Sequence, residues 1–423
     1  MRVAVLDNTC NTAYVTTKLL RRIGWSADFI EEPDMPFNHQ AVWEDVDFAL
    51  PAHEVAFKPR GDRYWREVER DLGWTPPEWM RRPRWDTLAD LPGAALLPVR
   101  LARAMPAALT PFGAAALAGS MPLVRSLREY AFALVLGPSA AVGYLSGRPY
   151  AVITMGWEVA TLPFLTGARN PVHRARAWLQ RAALGSARSI LGMPSTDLPF
   201  LRRLGLEPLL QPFPVPVDVD DYERIGAATR EEVLGPEITA RAAGKLLFFH
   251  PSRIYFPIKG TDRLLRAFRE VVDRGLPAFL VLLGWGDDVD RARALIDELA
   301  LADSVAMLPT VLSKKRLVRT MNAVDVVVVQ LVPPGYSTLD REALACGRPV
   351  ISSYDPTAPQ PHPADDPAPI VEARTVEQAR DAMIRLADHG LRERLGAEGR
   401  AWVRRNHQDA ALSALERLLS SAA

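Results

Sequence analysis

Cysteine is nearly absent from the 423 residues. Cys10 and Cys346 stand far apart, which leaves no disulfide framework and no thiolate metal spacing and fits a reducing cytoplasm. Histidine is scarce as well, and its seven copies form no ligand-like cluster, so no metal centre is legible. No uninterrupted apolar run reaches the ~18 residues that a membrane-spanning helix needs, so none is expected. The first residues, Met-Arg-Val-Ala-Val-Leu, open directly as a strand and not as a basic-then-apolar leader. A net charge of only +1 gives no general electrostatic case for nucleic acid as a partner. The chain does have a globular balance, 48% hydrophobic and 24% charged, and a length that suggests two or three domains, each with its own core.

The most informative stretch runs from Leu331 to Ser353 and reads as a loop, a helix and a strand. Pro333 and Pro334 stop the preceding apolar run, and Gly335 permits an unusual backbone angle. A helix is expected from about Thr338 to Gly347, then a strand over 349–352. A helix N-terminus offers unpaired N–H groups and a partial positive charge to an anion. Glu342, one turn inside, can accept hydrogen bonds from hydroxyls of whatever carries that anion.

Around this stretch the second half alternates strand and helix. Strands are expected near 245–249, 279–283, 304–308, 325–330, 349–352 and 369–371, in a parallel, doubly wound sheet whose ligand lies at the carboxyl ends. The first such end carries Arg253, then Lys259 and Gly260 ahead of a helix. The segment Leu283-Gly284-Trp285-Gly286-Asp287-Asp288 looks like a dinucleotide loop, but it lacks a third glycine and places two carboxylates where a pyrophosphate would lie. Those acids are expected to cap the helix beginning at Val289, which disfavours a hydride-transferring enzyme. Three Asp-Val-Asp triplets, at 45, 218 and 288, read as caps and linkers, not as metal clamps.

The first half begins with a strand over 2–6 and a helix over 12–23. In the turn between them, Asn8 and Asn11 suit either cleft contacts or ordinary turn and cap positions. A strand is expected over 46–50. Residues 51–128 then lose the rhythm, with Trp65, Trp74, Trp79 and Trp85 close together and Pro- and Ala-rich apolar stretches after them. Three readings stay open there: plain decoration of the domain, a tryptophan platform for an acceptor, or a surface resting on anionic lipid. Rhythm returns with strands over 132–136 and 150–154, followed by Met155-Gly156-Trp157-Glu158. Proline-rich residues 212–218 form a stiff extended connection, which places a boundary near Pro216. From Val376 the chain reads as helical to its end.

The stretch PGYSTLDREALACGRPVI resembles the nucleotide-sugar signature of glycosyltransferase family 4, whose members are retaining enzymes of the GT-B fold. The resemblance implies an α/β architecture of two Rossmann-like, doubly wound domains facing across a cleft. Residues 1–216 would form the acceptor domain, with 51–128 as an irregular insertion. Residues 217–405 would bind the nucleotide sugar, and 406–423 would cross back as a helix to the first domain. Glu342 matches the second glutamate of the signature and is implied to hold the ribose; the first falls on Pro334. His250-Pro-Ser-Arg253 with Lys259-Gly260 resembles the family's diphosphate grip. Arg253 and Lys259 are thereby implied to stabilise the departing diphosphate, together with amides from Gly335, Tyr336, Ser337 and Thr338. Met155-Gly156-Trp157-Glu158 resembles the H-G-x-D segment of the cleft, with Met155 replacing the histidine and Glu158 the aspartate. Both become donor-sugar candidates, and Trp157, Asn8 and Asn11 become cleft or acceptor candidates. An apolar wall at Met155 would suit a sugar without a 6-hydroxyl, a pentose or a 6-deoxyhexose.

Together these resemblances imply a retaining hexosyl or pentosyl transferase. It would use a nucleotide-diphosphate sugar as donor and a glycan, lipid-linked or small-molecule acceptor, with no cofactor and no metal. It would be cytoplasmic or peripheral at the inner membrane face. The competing expectation is a catalytically idle scaffold that binds a nucleotide sugar or a partner. Pro334 and Met155 favour that second reading, whereas Arg253, Lys259 and Glu342 together oppose it.

Overall fold

The computed structural model describes residues 1–32, 36–55, 61–83, 96–226, 228–333, 336–357 and 366–422. In the first half the strands are β1 (Arg2–Leu6), β2 (Ser26–Ile30), β3 (Ala49–Pro51), β4 (Met80–Arg81), β5 (Phe132–Leu136), β6 (Tyr150–Ile153), β7 (Ile190–Gly192) and β8 (Leu210–Pro212). All but β3 form one sheet in the order β4-β2-β1-β5-β6-β7-β8, and its pairs are parallel. Its central strands are apolar on both faces, with Val3, Val5, Phe132 and Leu134 buried alongside Ala4 and Val135. A sheet covered by helices on both sides requires that pattern. The strand order reverses between β1 and β5, so a crevice opens at their carboxyl ends.

The second half contributes β9 (Leu246–His250), β10 (Ala278–Leu283), β11 (Val305–Leu308), β12 (Thr310–Leu312), β13 (Val326–Val328), β14 (Val350–Ser352) and β15 (Val371–Glu372). Six of them form a sheet ordered β11-β10-β9-β13-β14-β15, with every pair parallel. These are the six strands expected from the alternation. The order reverses between β9 and β13, which sets the ligand crevice at His250 and beyond.

The strand expected over 46–50 is displaced and has a different partner. β3 stays out of its own domain's sheet and pairs antiparallel with β12 of the other domain, in the register Thr310–Pro51, Val311–Leu50, Leu312–Ala49. Phe48 N–H donates to Ser313 Oγ at 3.0 Å, and Ser313 N–H returns a bond to the Phe48 carbonyl at 3.0 Å. Asp47 accepts from Arg316 Nε at 2.5 Å and also from Arg319. Beneath this bridge lies a small core of Phe37, Val42, Trp43, Phe48, Trp65 and Val311. Trp65 is therefore packing material and not a sugar platform. Trp79 lies against Tyr14 with ring centroids 5.0 Å apart, Trp74 packs against this small core and against the one around Val3, Val5 and Tyr14, and Trp85 lies outside the described residues. The irregular insertion also contains a helical run, Ala107–Leu127, long and apolar enough by length and composition to cross a membrane. It is not an uninterrupted apolar run, since Thr110, Ser120, Arg125 and Ser126 lie within it.

At the far end the helix His389–Val403 continues through a π-helical bulge at Arg404–Asp409 into the helix Ala410–Ala422. The bulge turns three side chains onto the interdomain linker and its neighbours. His407 Nδ1 lies 2.9 Å from the Val215 carbonyl, Gln408 Oε1 accepts from Val219 N–H at 2.7 Å, and Asn406 donates to Asp366. Past the bulge, Ala411, Leu415, Leu418 and Leu419 enter the core of the first domain beside Val3, Val5 and Tyr14. The chain thus ends inside the domain in which it began, as the resemblance implied.

Opposite the second domain's helix Lys314–Ala323 lies Glu44, in the short helix Ala41–Asp45. Burial pushes its carboxyl up to about 7, against the pull of the Lys314 and Lys18 ammonium groups. Leu415→Ala removes a fully buried side chain and should cost about 2–5 kcal/mol in urea unfolding. For Glu44, the folded carboxyl keeps its proton from the unfolded value of 4.5 up to about 7, so its contribution is complete below that lower value and lost as pH rises through the upper one. Glu44→Gln should therefore gain on wild type by roughly 1–3 kcal/mol between about pH 5 and about pH 8, read as diverging melting temperatures. Parallel profiles would mean that Glu44 is ionised in the folded protein.

Candidate active site

A cavity of about 340 Å³ lies between the domains, within the range of small-molecule sites. The first domain lines it with Cys10, Asn11, Phe37 and Trp43, and the second with Arg253, Lys259, Trp285, Lys314, Thr338 and Glu342, among others. Arg253 and Lys259 come from the loop after β9 and the short helix Phe256–Lys259. Gly260 ends that helix at φ +66, a left-handed conformation that costs glycine little. Lys259 Nζ donates to Gln330 Oε1 at 2.7 Å, just past β13. Burial and the like charge of Arg253 lower its pKa, with Asp340 opposing. Arg253 lies over the Tyr255 ring at 4.9 Å and 3.9 Å from Asp287. His250 is buried against the Val328 carbonyl and driven down to about 4 by burial, so it is a neutral structural group.

The loop that looked like a dinucleotide site is a buttress for these two cations. Gly286, at φ +126, approaches Ile254 so closely that a Cβ would lie 2.3 Å from its carbonyl oxygen. Asp288 occupies the N-cap of the helix Val289–Glu298 without accepting from its backbone amides, and pairs there with the Arg291 side chain at 2.8 Å. Its carboxylate instead accepts from Phe256 N–H at 2.8 Å, capping the short helix that ends in Lys259. The expectation that both acids cap the helix at Val289 is corrected accordingly.

The helix Thr338–Ala345 begins with a capping box: the Ser337 amide and hydroxyl both donate to Asp340, at 2.5 and 2.8 Å. Ser337 N–H is therefore committed within the turn, whereas Thr338 and Leu339 line the cavity. Tyr336 has φ 90, and its side chain turns under the loop, its hydroxyl on His407 Nε2 and its ring 6.1 Å from Trp402. It supports the loop and does not line the cavity. Gly335 and Pro334 lie outside the described residues. Glu342 is 2% exposed; its Oε1 accepts from the Lys314 ammonium, and Oε2 has no partner among the described residues. Burial alone would lower the pKa of Lys314, but Glu342 and Glu44 carry it above its ordinary value, so it is an ammonium. Nothing in the sequence singled out Lys314, which after Ser313 reads as one of a solvated lysine pair.

The first-domain candidates divide. Asn11 reaches the cavity, at φ 59. Asn8 turns inward, accepting from Tyr14 N–H at 2.9 Å and donating to Asn11 Oδ1 and the His39 carbonyl at 2.7 Å each; it knits the turn. Glu158 is buried with one oxygen on the Met155 and Gly156 amides, and burial raises its pKa. Met155 packs on the core of the first domain. Trp157 is exposed. None of these three lines the cavity, so Met155 gives no ground for a donor lacking the 6-hydroxyl. The crevice at β1 and β5 also holds a carboxyl pair that the sequence did not reveal: Ser139 Oγ donates to Glu32 at 2.7 Å and lies 3.3 Å from Asp7, and burial raises both acids.

Residues 245–389, which hold Arg253, Lys259, Lys314 and Glu342, match the family model described as glycosyl transferases group 1. Curated relatives include the D-inositol 3-phosphate glycosyltransferases of Mycobacterium sp. strains KMS and JLS, each 35% identical over 103 residues, or 23% of this chain and 22% of the relative. The match thus spans about a fifth of their length. Similar solved structures include Anabaena HepE in complex with UDP and glucose, at TM-score 0.61 and 12% identity over 100% of both chains. The sucrose-phosphate synthase of Thermosynechococcus elongatus is similar at TM-score 0.57 and 16% identity, also over 100% of both. At such identities the likeness is one of fold: the chain adopts the two-domain GT-B architecture, and its second domain matches the group 1 glycosyl transferase model.

Proposed function

We propose that the chain is a retaining glycosyltransferase that moves a hexosyl or pentosyl group from a nucleotide-diphosphate sugar to a glycan, lipid-linked or small-molecule acceptor, without a metal. The observation that carries this reading is the meeting of Arg253, Lys259, Thr338, Leu339 and Glu342 in one interdomain cavity. Two cations and the open end of a helix suit a diphosphate, and Glu342 Oε2 suits the hydroxyls of its ribose. The bond from the anomeric carbon to the diphosphate oxygen breaks, and that oxygen keeps the electron pair. Arg253, Lys259 and the first-turn amides stabilise the charge that builds there, at ~1.5–3 kcal/mol per charge-assisted bond. The acceptor hydroxyl bonds to the anomeric carbon on the face just vacated, and its proton passes to the departing diphosphate. No protein nucleophile takes part. HepE is described in complex with UDP and glucose, which makes UDP-sugars the first donors to assay.

One observation favours the second reading, an idle nucleotide-sugar scaffold: Lys314 already occupies one oxygen of Glu342. Donor hydrolysis or transfer with any member of a UDP-sugar panel excludes it.

Lys259→Ala should lower kcat/KM by on the order of 10²–10³ without lowering the melting temperature. Near-normal turnover would remove the diphosphate assignment. Glu342→Gln keeps one acceptor oxygen and should weaken UDP binding by roughly 1–2 kcal/mol in calorimetry. If it abolished turnover at unchanged UDP affinity, Glu342 would have to act in the chemical step.

A further inference from the structure

One face of the first domain has a pattern that the cleft does not use. Residues 104–124 contain no charged side chain, yet much of the stretch is on the surface: Ala107, Ala108, Phe112, Ala114, Ala115 and Ala118 are all exposed. Phe112 and, one helix earlier, Val99 are large apolar side chains left 40% and 46% exposed. The opposite side of the same run is core, with Leu109, Leu117, Met121 and Val124 buried in the first domain. Gly113 lets the helix Thr110–Leu117 come down on the helix Leu96–Ala104; a Cβ there would lie 2.5 Å from Met105 Cε. The run lies flat on the domain and turns an apolar side outward.

The charges in this part of the chain are almost all positive, the exposed Glu129 being the exception on the surface. From 96 to 188 the chain has ten arginines and, against them, only Glu129 and Glu158, a surplus of eight in a protein whose total is +1. Glu158 is buried. Arg103, Arg125, Arg148, Arg169, Arg176 and Arg188 are exposed. Setting Arg128 aside, the arginines of this segment form no ion pair among the described residues, whereas Arg316 and Arg319 elsewhere share Asp47. Arg103 and Arg125 bracket the uncharged stretch, and Arg176 stands on the helix Pro171–Ser186 that packs against it.

We propose that this face docks the protein on an anionic lipid bilayer, the apolar centre entering the headgroup layer and the arginines resting on lipid phosphates. The arrangement selects a membrane over other partners. A nucleic acid needs cations at the centre of the contact, where this face has none. A second copy paired through the same patch would set two arginine rims against each other. The run lies on a bilayer and does not cross it, because Leu117, Met121, Val124 and Leu127 already belong to the domain core. The docking stands apart from the transfer reaction and holds whether or not that reading does.

The test is flotation of the full chain with vesicles of equal parts phosphatidylglycerol and phosphatidylcholine, against phosphatidylcholine alone, in low and physiological salt. The chain should float with the anionic vesicles only, and binding should fall by on the order of tenfold across that salt range. Phe112→Asp should weaken it roughly tenfold, and the double variant Arg103→Glu, Arg125→Glu by at least about tenfold. All three side chains are exposed, so melting temperature and UDP binding should stay at wild-type values in each variant. Equal flotation with neutral vesicles overturns the proposal, as does flotation indifferent to Phe112→Asp, which would mark simple polyanion binding. Absence of flotation together with a dimer that Phe112→Asp dissolves would assign the face to a second copy instead.

Discussion

Lys259 is held largely out of water with a neutral amide oxygen, that of Gln330, as its bonded partner. A half-buried ammonium with no bonded carboxylate is costly, and the surrounding structure is arranged to keep it so. The nearest acid by electrostatic influence, Asp340, is engaged by the Ser337 amide and hydroxyl. Gly260, Gly286 and Asp288 fix the backbone that carries Lys259 and Arg253. The reversal of strand order between β9 and β13 brings Gln330 to the same edge. An ammonium answered directly only by a neutral amide suits the diphosphate proposed above, and its energetic cost falls on the empty protein.

The parts that sequence could reveal were those whose cause is local. Strands buried on both faces must be continuously apolar, so the alternation of the second half was plain, and Arg253, Lys259 and Glu342 sit just past a strand, at the end of a short helix and one turn inside another, places that this alternation locates. Lys314 was invisible because its partner Glu342 lies 28 residues away. β3 was misplaced because its partner strand is some 260 residues distant, as the Phe48–Ser313 separation of 265 indicates. Ser337 is different, since its spacing to Asp340 is a capping pattern readable in advance. Recognising it would have removed the Ser337 amide from the anion site at once.

Charge in the first domain shows how the choice of window decides what is seen. Counted from Lys58 to Arg103, basic residues exceed acidic ones by three, an unremarkable value for a surface. Counted over 96–188 the surplus is eight, and it becomes a patch because the helices Leu96–Ala104, Thr110–Leu117 and Pro171–Ser186 pack into one layer. Spatial adjacency, not sequence adjacency, defines the patch.

The return of the last helix into the first domain bears on how such proteins can be recombined. Leu415, Leu418 and Leu419 fill the same core as Val3, Val5 and Tyr14, so a cut at the linker does not separate two self-sufficient halves. A first domain taken as 1–216 alone would present an open apolar trough. A chimera carrying a foreign second domain would bring a foreign tail to fill it. Exchange between homologous enzymes therefore needs two crossovers, one in the linker and one at the bulge that contains His407. The His407 contacts to Val215 and Tyr336 must then survive across both seams.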